Sequence, residues 1–135
     1  MMDAALRAFI RERAGRQCEY CHLREEDAGR LVFQIEHIIA KQHGGTEDPD
    51  GLCYSCAHCN WATGPNIAGL FAGKLYPLFN PRTQSWHRHF RWELTTLVGK
   101  TKAGIVTVQV LHINDPARVM LRENLLFEGR FPHEE

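Results

Sequence analysis

Two cysteine pairs, Cys18-Glu19-Tyr20-Cys21 and Cys56-Ala57-His58-Cys59, are the residues of this chain best suited to chemistry. In each pair the two-residue insert lets both thiolates turn toward one point, and two such pairs make a tetrahedral sulfur set. Thiolate sulfur of this kind selects Zn²⁺ over hard ions. Closing residues 22–55 through one ion ties the ends of that segment together, so that ion-binding energy becomes folding energy. The competing reading is four free thiols packed as small hydrophobes. A redox Cys-x-x-Cys needs one pair in a βαβ setting, which this sequence lacks. The fifth cysteine, Cys53, stands in Leu52-Cys53-Tyr54 and reads as a core residue of a strand, outside the metal set.

Glu36-His37 lies between the pairs, and Asn60 follows the last cysteine directly. On a strand, neighbouring side chains point to opposite faces. Glu36 can therefore offer oxygen to a hard divalent ion while His37 serves as a base. Asn60 adds a neutral oxygen, brought back toward Glu36 by the cysteine frame. Each residue also has a plainer reading: a solvated carboxylate, a hydrogen-bonded structural imidazole, a helix N-cap. His43, in His43-Gly44-Gly45, is a secondary candidate for phosphate or metal contact. His58, inside its knuckle, reads as exposed.

These residues need elements to position them. Asp3 to Arg13 reads as an amphipathic helix with Asp3 as N-cap, Leu6, Phe9 and Ile10 on one face and Gly15 past its end. Leu31 to Ile38 reads as a strand, and Leu52 to Ser55 as its return after two loop segments, His43-Gly44-Gly45 and residues 47–51. A helix should run from about Asn60 until Gly64-Pro65. Residues 77–85 form a turn-rich joint. Beyond it, Trp86 to Thr96 reads as a strand pair with its neighbours, Gly99 to Gly104 as turn and Ile105 to Leu111 as strand. A last helix starts at Asp115-Pro116 and ends near Gly129, with Val119, Met120, Leu121, Leu125 and Leu126 as its apolar side.

Bulk properties narrow the class. The 135 residues suit one domain over residues 1–135 with a real core. The longest apolar run is far short of the roughly 18 residues that cross a membrane. Met1 to Arg16 is interrupted by charges and is not a secretory signal, so we expect a cytoplasmic protein, where disulfides rarely persist. The 16 basic and 16 acidic residues cancel, which excludes a uniformly basic nucleic-acid coat but not a basic face. Bases gather at residues 7–16 and 82–91; acids gather at 25–27, 47–50 and 134–135. The stretch with Arg82, His87, Arg88, His89 and Arg91 could touch DNA, or its aromatics could pack the C-terminal core.

Taken together, Cys18-x-x-Cys21, Ile35-Glu36-His37-Ile38-Ile39, His43-Gly44-Gly45, Cys56-x-x-Cys59-Asn60 and Gly64-Pro65-Asn66 resemble the His-Asn-His (HNH) endonuclease family, in its zinc-knuckle branch. The motif core spans residues 18–66. Leu78-Phe79-Asn80-Pro81-Arg82, with Trp86, His89-Phe90 and Trp92, extends the likeness into a C-terminal extension of about 78–135. The resemblance implies an α+β fold: a ββα-metal core braced by a Zn(Cys)4 site, with an N-terminal helix and C-terminal strands plus helix. It implies His37 as general base, with Glu36 and Asn60 as protein ligands of a catalytic Mg²⁺, Mn²⁺ or other divalent ion, and DNA as substrate. Two positions differ from the family pattern: Gly51 stands where the middle Asn is expected, and Thr63 lies where a basic residue is frequent.

The sequence thus supports a metal-dependent endonuclease hydrolysing DNA phosphodiester bonds. The alternative is a non-catalytic zinc module binding nucleic acid or protein, which Gly51, Thr63 and the zero net charge favour. A third, less developed reading is a toxin or defence nuclease that needs a partner.

Overall fold

The computed structural model describes residues 3–132; His133 and the acidic pair 134–135 lie outside them. Helix α1 (Ala4–Arg13) begins where Asp3 Oδ1 accepts the Leu6 amide at 2.8 Å. Such a cap is worth about 1 kcal/mol. Ile10 is fully buried, Leu6 partly so, and Phe9 is largely exposed, so the helix buries a narrower face than its pattern suggests.

The site is carried by two strands and a helix. Strands β1 (Phe33–His37) and β2 (Leu52–Cys56) pair antiparallel, with Glu36 opposite Cys53 and His37 opposite Leu52. Every residue of β2 is buried. Helix α2 (Ala57–Thr63) follows without a loop because Cys56 is at once the last strand residue and the N-cap, its sulfur accepting from the Cys59 amide. Asn60 therefore sits mid-helix rather than at a helix start. Helix α1 braces the return strand: Arg13 donates to the Pro49 and Leu52 carbonyls at 3.0 and 2.7 Å.

The C-terminal half differs from expectation in three places. A hairpin, β3 (Ala68–Phe71) and β4 (Lys74–Pro77), precedes the turn-rich joint; it turns through Ala72 and Gly73, both at positive φ. Trp86–His89 is a short helix, α3, and only then does a hairpin form from β5 (Phe90–Glu93) and β6 (Thr96–Gly99). Third, the expected strand Ile105 to Leu111 is helix α4 (Lys102–Val110). Its β-branched run is overruled by a local cap and by packing. Thr101 accepts the Gly104 amide at 3.1 Å, and the Thr107 hydroxyl bonds the Ala103 carbonyl one turn back. A Cβ on Gly69 of β3 would come within 3.0 Å of Val106 and Val110, so the hairpin seats on those valines through a glycine.

Helix α5 (Pro116–Phe127) begins after Asp115 as expected, with Pro116 in its first turn. Its fully buried face matches the expected one only at Leu125. Arg118, Arg122 and Leu125 face inward, while Met120, Leu126 and Phe127 are exposed. The α+β fold thus holds, but with three C-terminal helices, α3, α4 and α5, where one was expected.

One cluster of buried side chains links α1, β1, β2 and α2 to α3, β5, β6 and the segment that follows α4. It joins Ile10 and Leu52 to Phe79, Trp86, Phe90, Leu97, Leu111 and Ile113. No described helix is long and apolar enough to cross a membrane.

Candidate metal centre and active site

Cys18, Cys21, Cys56 and Cys59 are buried, and their sulfurs all lie within 4.8 Å of one another. The Cys21 and Cys56 sulfurs are 3.7 Å apart. A tetrahedral zinc with bonds of about 2.3 Å needs sulfurs about 3.8 Å apart. The four cysteines therefore fit the ion expected from their spacing. Hydrogen bonding from Cys18, Cys56 and Cys59 holds the Cys21 thiol well below its ordinary pKa, with Arg118 adding to the effect. Cys53 is buried, bonds Tyr20 at 3.5 Å and stays outside the set, as expected; burial pushes its thiol up.

Glu36 points into the protein on the side of β1 that α2 covers. It is only 7% exposed, and its Oε2 has no hydrogen-bond partner. Burial raises its carboxyl to about 7, with Ser55 and Thr63 pulling the other way. A buried carboxylate oxygen without a donor is costly unless a cation meets it. This donor chemistry fits a hard divalent ion.

His37, one residue on, faces the other side of the strand. Its Nε2 lies 3.0 Å from Glu47 Oε1, and Lys41 Nζ contacts the same oxygen at 2.8 Å. The loop carrying Lys41 and Glu47 is shaped by His43-Gly44-Gly45. Residues 41–43 form one 3₁₀ turn, closed by Gly44 at φ 94°. A Cβ on Gly45 would lie 1.7 Å from the Ile39 carbonyl oxygen, so only glycine fits there. His43 itself is exposed. Sequence reasoning missed Lys41 and Glu47; the acidic run 47–50 was visible, but not which member would reach His37.

Asn60 Nδ2 donates to Gln34 Oε1 at 2.9 Å, two residues before Glu36 on the same strand face. No hydrogen bond links Glu36, His37 and Asn60 to one another among the described residues. Glu36 and Asn60 lie at the β1–α2 seam, and His37 lies across the strand from them.

The two departures have different physical characters. Gly51 keeps an ordinary φ, and a Cβ there would sit 3.5 Å from the Thr46 carbonyl, so nothing in the backbone demands glycine. Its own carbonyl accepts the Ile38 amide at 2.9 Å and extends the β1–β2 ladder. Thr63 is buried and bonds the Cys59 carbonyl at 2.6 Å, closed to a phosphate.

The aromatic and basic stretch divides. Trp86 and Phe90 are core residues, 9% and 1% exposed. Arg82 pairs with Glu19, and His89 bonds Thr101 at 2.6 Å. Arg88 and Arg91 remain at the surface. His58 is exposed, as expected.

Comparison with known proteins agrees with this geometry. The HNH endonuclease family model matches residues 18–65. Septu protein PtuB of Bacillus thuringiensis is 25% identical over 123 residues, which cover 90% of this chain and 46% of that protein. The chain thus spans about half the length of this curated relative. No solved structure matches. The match begins at the first frame cysteine and ends just past α2, so the likeness to the HNH endonuclease family covers the segment that holds both cysteine pairs and the β1–β2–α2 unit.

Proposed function

We propose that this chain is a metal-dependent endonuclease that hydrolyses DNA phosphodiester bonds. The observation that carries the proposal is Glu36: a buried carboxylate with an unpartnered oxygen, beside the helix that bears Asn60. Glu36 and Asn60 would hold the divalent ion, Mg²⁺ or Mn²⁺. When bound, such an ion stabilises charge on the phosphate and on the leaving 3′ oxygen.

His37 supplies the base. With an Nε2 proton given to Glu47, the lone pair rests on Nδ1. That nitrogen takes a proton from the attacking water as its oxygen bonds phosphorus and the P–O3′ bond breaks. The products are a 5′ phosphate and a 3′ hydroxyl. The exposed Arg88 and Arg91 are candidates for contacts to the DNA backbone.

The test is nicking of supercoiled plasmid with Mg²⁺ or Mn²⁺. We expect cleavage by the wild-type chain and a loss of at least about 100-fold in His37→Ala. A wild type that never cuts, or a variant that cuts equally well, rejects the mechanism. A second reading, a non-catalytic zinc module, is favoured by Gly51 and the buried Thr63. It predicts salt-sensitive DNA binding without metal-stimulated cleavage.

A further inference from the structure

Helix α5 presents two arginines, one turn apart, to the protein interior. Arg118 is 7% exposed and Arg122 is 6% exposed. Neither forms an ion pair with a carboxylate among the described residues. Arg118 donates to the Leu111 and His112 carbonyls at 2.8 and 3.3 Å, and its Nη2 reaches Cys59 Sγ at 3.0 Å. Arg122 donates to the Thr95 and Ile113 carbonyls and to Asn114 Oδ1, and lies over the Trp92 ring. Carbonyl oxygens satisfy the N–H groups but not the charge. Two buried cations need counter-charge nearby.

Cys21 of the frame lines the same cavity as both arginines, and Asp27, the carboxylate on that cavity, is already paired with Arg24 and Arg130. Four neutral thiols, or two disulfides, carry no charge and would leave both guanidiniums uncompensated. Four thiolates around one Zn²⁺ carry a net charge of minus two, which matches the two arginines. We infer that Arg118 and Arg122 are the counter-ions of the zinc–tetrathiolate centre, and that metal loading clamps α5 onto the frame. The Arg118 contact bears on Cys59, next to Asn60 on α2, so the clamp also steadies the helix that bears Asn60. The inference stands apart from the nuclease reading, because it concerns only the sulfur site.

The test uses zinc and the full chain, with no activity readout. Zinc affinity is measured by competition with a chromophoric chelator for wild type, Arg118→Gln and Arg118→Lys. We expect Gln to weaken zinc binding by roughly 10–100-fold, as loss of a group bonded to a metal ligand does, and Lys to fall between. Folded Arg118→Gln with wild-type zinc affinity overturns the inference. Should that variant fail to fold, the wild type decides: on zinc chelation, amide hydrogen exchange should accelerate more in α5 than in α1 and slow again when zinc is restored. Exchange in α5 that rises no more than in α1 overturns it.

Discussion

Glu36 sets the terms at the residue scale. Its carboxyl is raised from 4.5 to about 7 by burial. A raised carboxylate pKa means the folded state binds more protons than the unfolded state between those values. Stability of the metal-free protein should therefore fall as pH rises from about 4.5 through about 7, and level off above. The shift corresponds to about 3 kcal/mol. Glu36→Gln should remove that slope, gain stability at pH 8, and lose cleavage. Urea unfolding in chelator across pH 5–9 measures it; equal slopes in both proteins would sink the idea. Glu47 invites a different experiment. Its bond to Nε2 fixes the His37 ring, so Glu47→Ala should lower kcat with little change in KM, and Glu47→Gln, which can still accept that bond, should recover most of the rate. Full activity in the alanine variant would assign Glu47 to the surface alone.

At the scale of elements, what was legible depended on whether local chemistry or tertiary contact decided the outcome. The cysteine frame and the start of α1 were readable because ligand spacing and a cap act over three or four residues. Helix α4 was not. Ile105-Val106-Thr107-Val108 favours strand by propensity, but the hairpin β3–β4 and strand β6 pack against it as a helix. The hairpin itself was hidden because Leu70 and Leu75, paired across it, are exposed and give no buried alternation. The inward face of α5 escaped notice because arginine is rarely a core residue; Arg118, Arg122 and Leu125 nonetheless share one helical phase. The β1–β2 loop yields a prediction of its own. Gly51 has room for a side chain, with its Cβ contacts at 3.5 Å and 3.7 Å to Thr46. Gly51→Asn should fold with a melting temperature within a few degrees of wild type. If an orienting side chain there limits the reaction, nicking should rise at least about tenfold. A folded variant with an unchanged rate would show that the backbone already does the orienting.

Across the whole molecule, the C-terminal half grips both cysteine knuckles. Trp86 Nε1 donates to the Tyr20 carbonyl at 2.8 Å, and the Trp86 ring stacks on His22 with centroids 4.0 Å apart. Arg118 holds the second knuckle through Cys59. Glu19, inside the first knuckle, accepts the Tyr54 amide at 2.8 Å and also takes Arg82. The metal frame and the C-terminal core thus share walls, and one hydrophobic cluster crosses between them. This arrangement predicts one cooperative unit, in line with the single domain expected from chain length. Zinc release, followed with a chelating dye, and loss of the C-terminal core, followed by tryptophan fluorescence, should share one urea midpoint. Trp86→Phe keeps the ring but strands the buried Tyr20 carbonyl, at a cost of about 1–3 kcal/mol. Both midpoints should fall together by the same amount. Two separate midpoints in the wild type, or a shift in fluorescence alone in the variant, would mean that residues 18–65 and the C-terminal half unfold independently. The knuckle contacts of Trp86 and Arg118 would then be too weak to couple them.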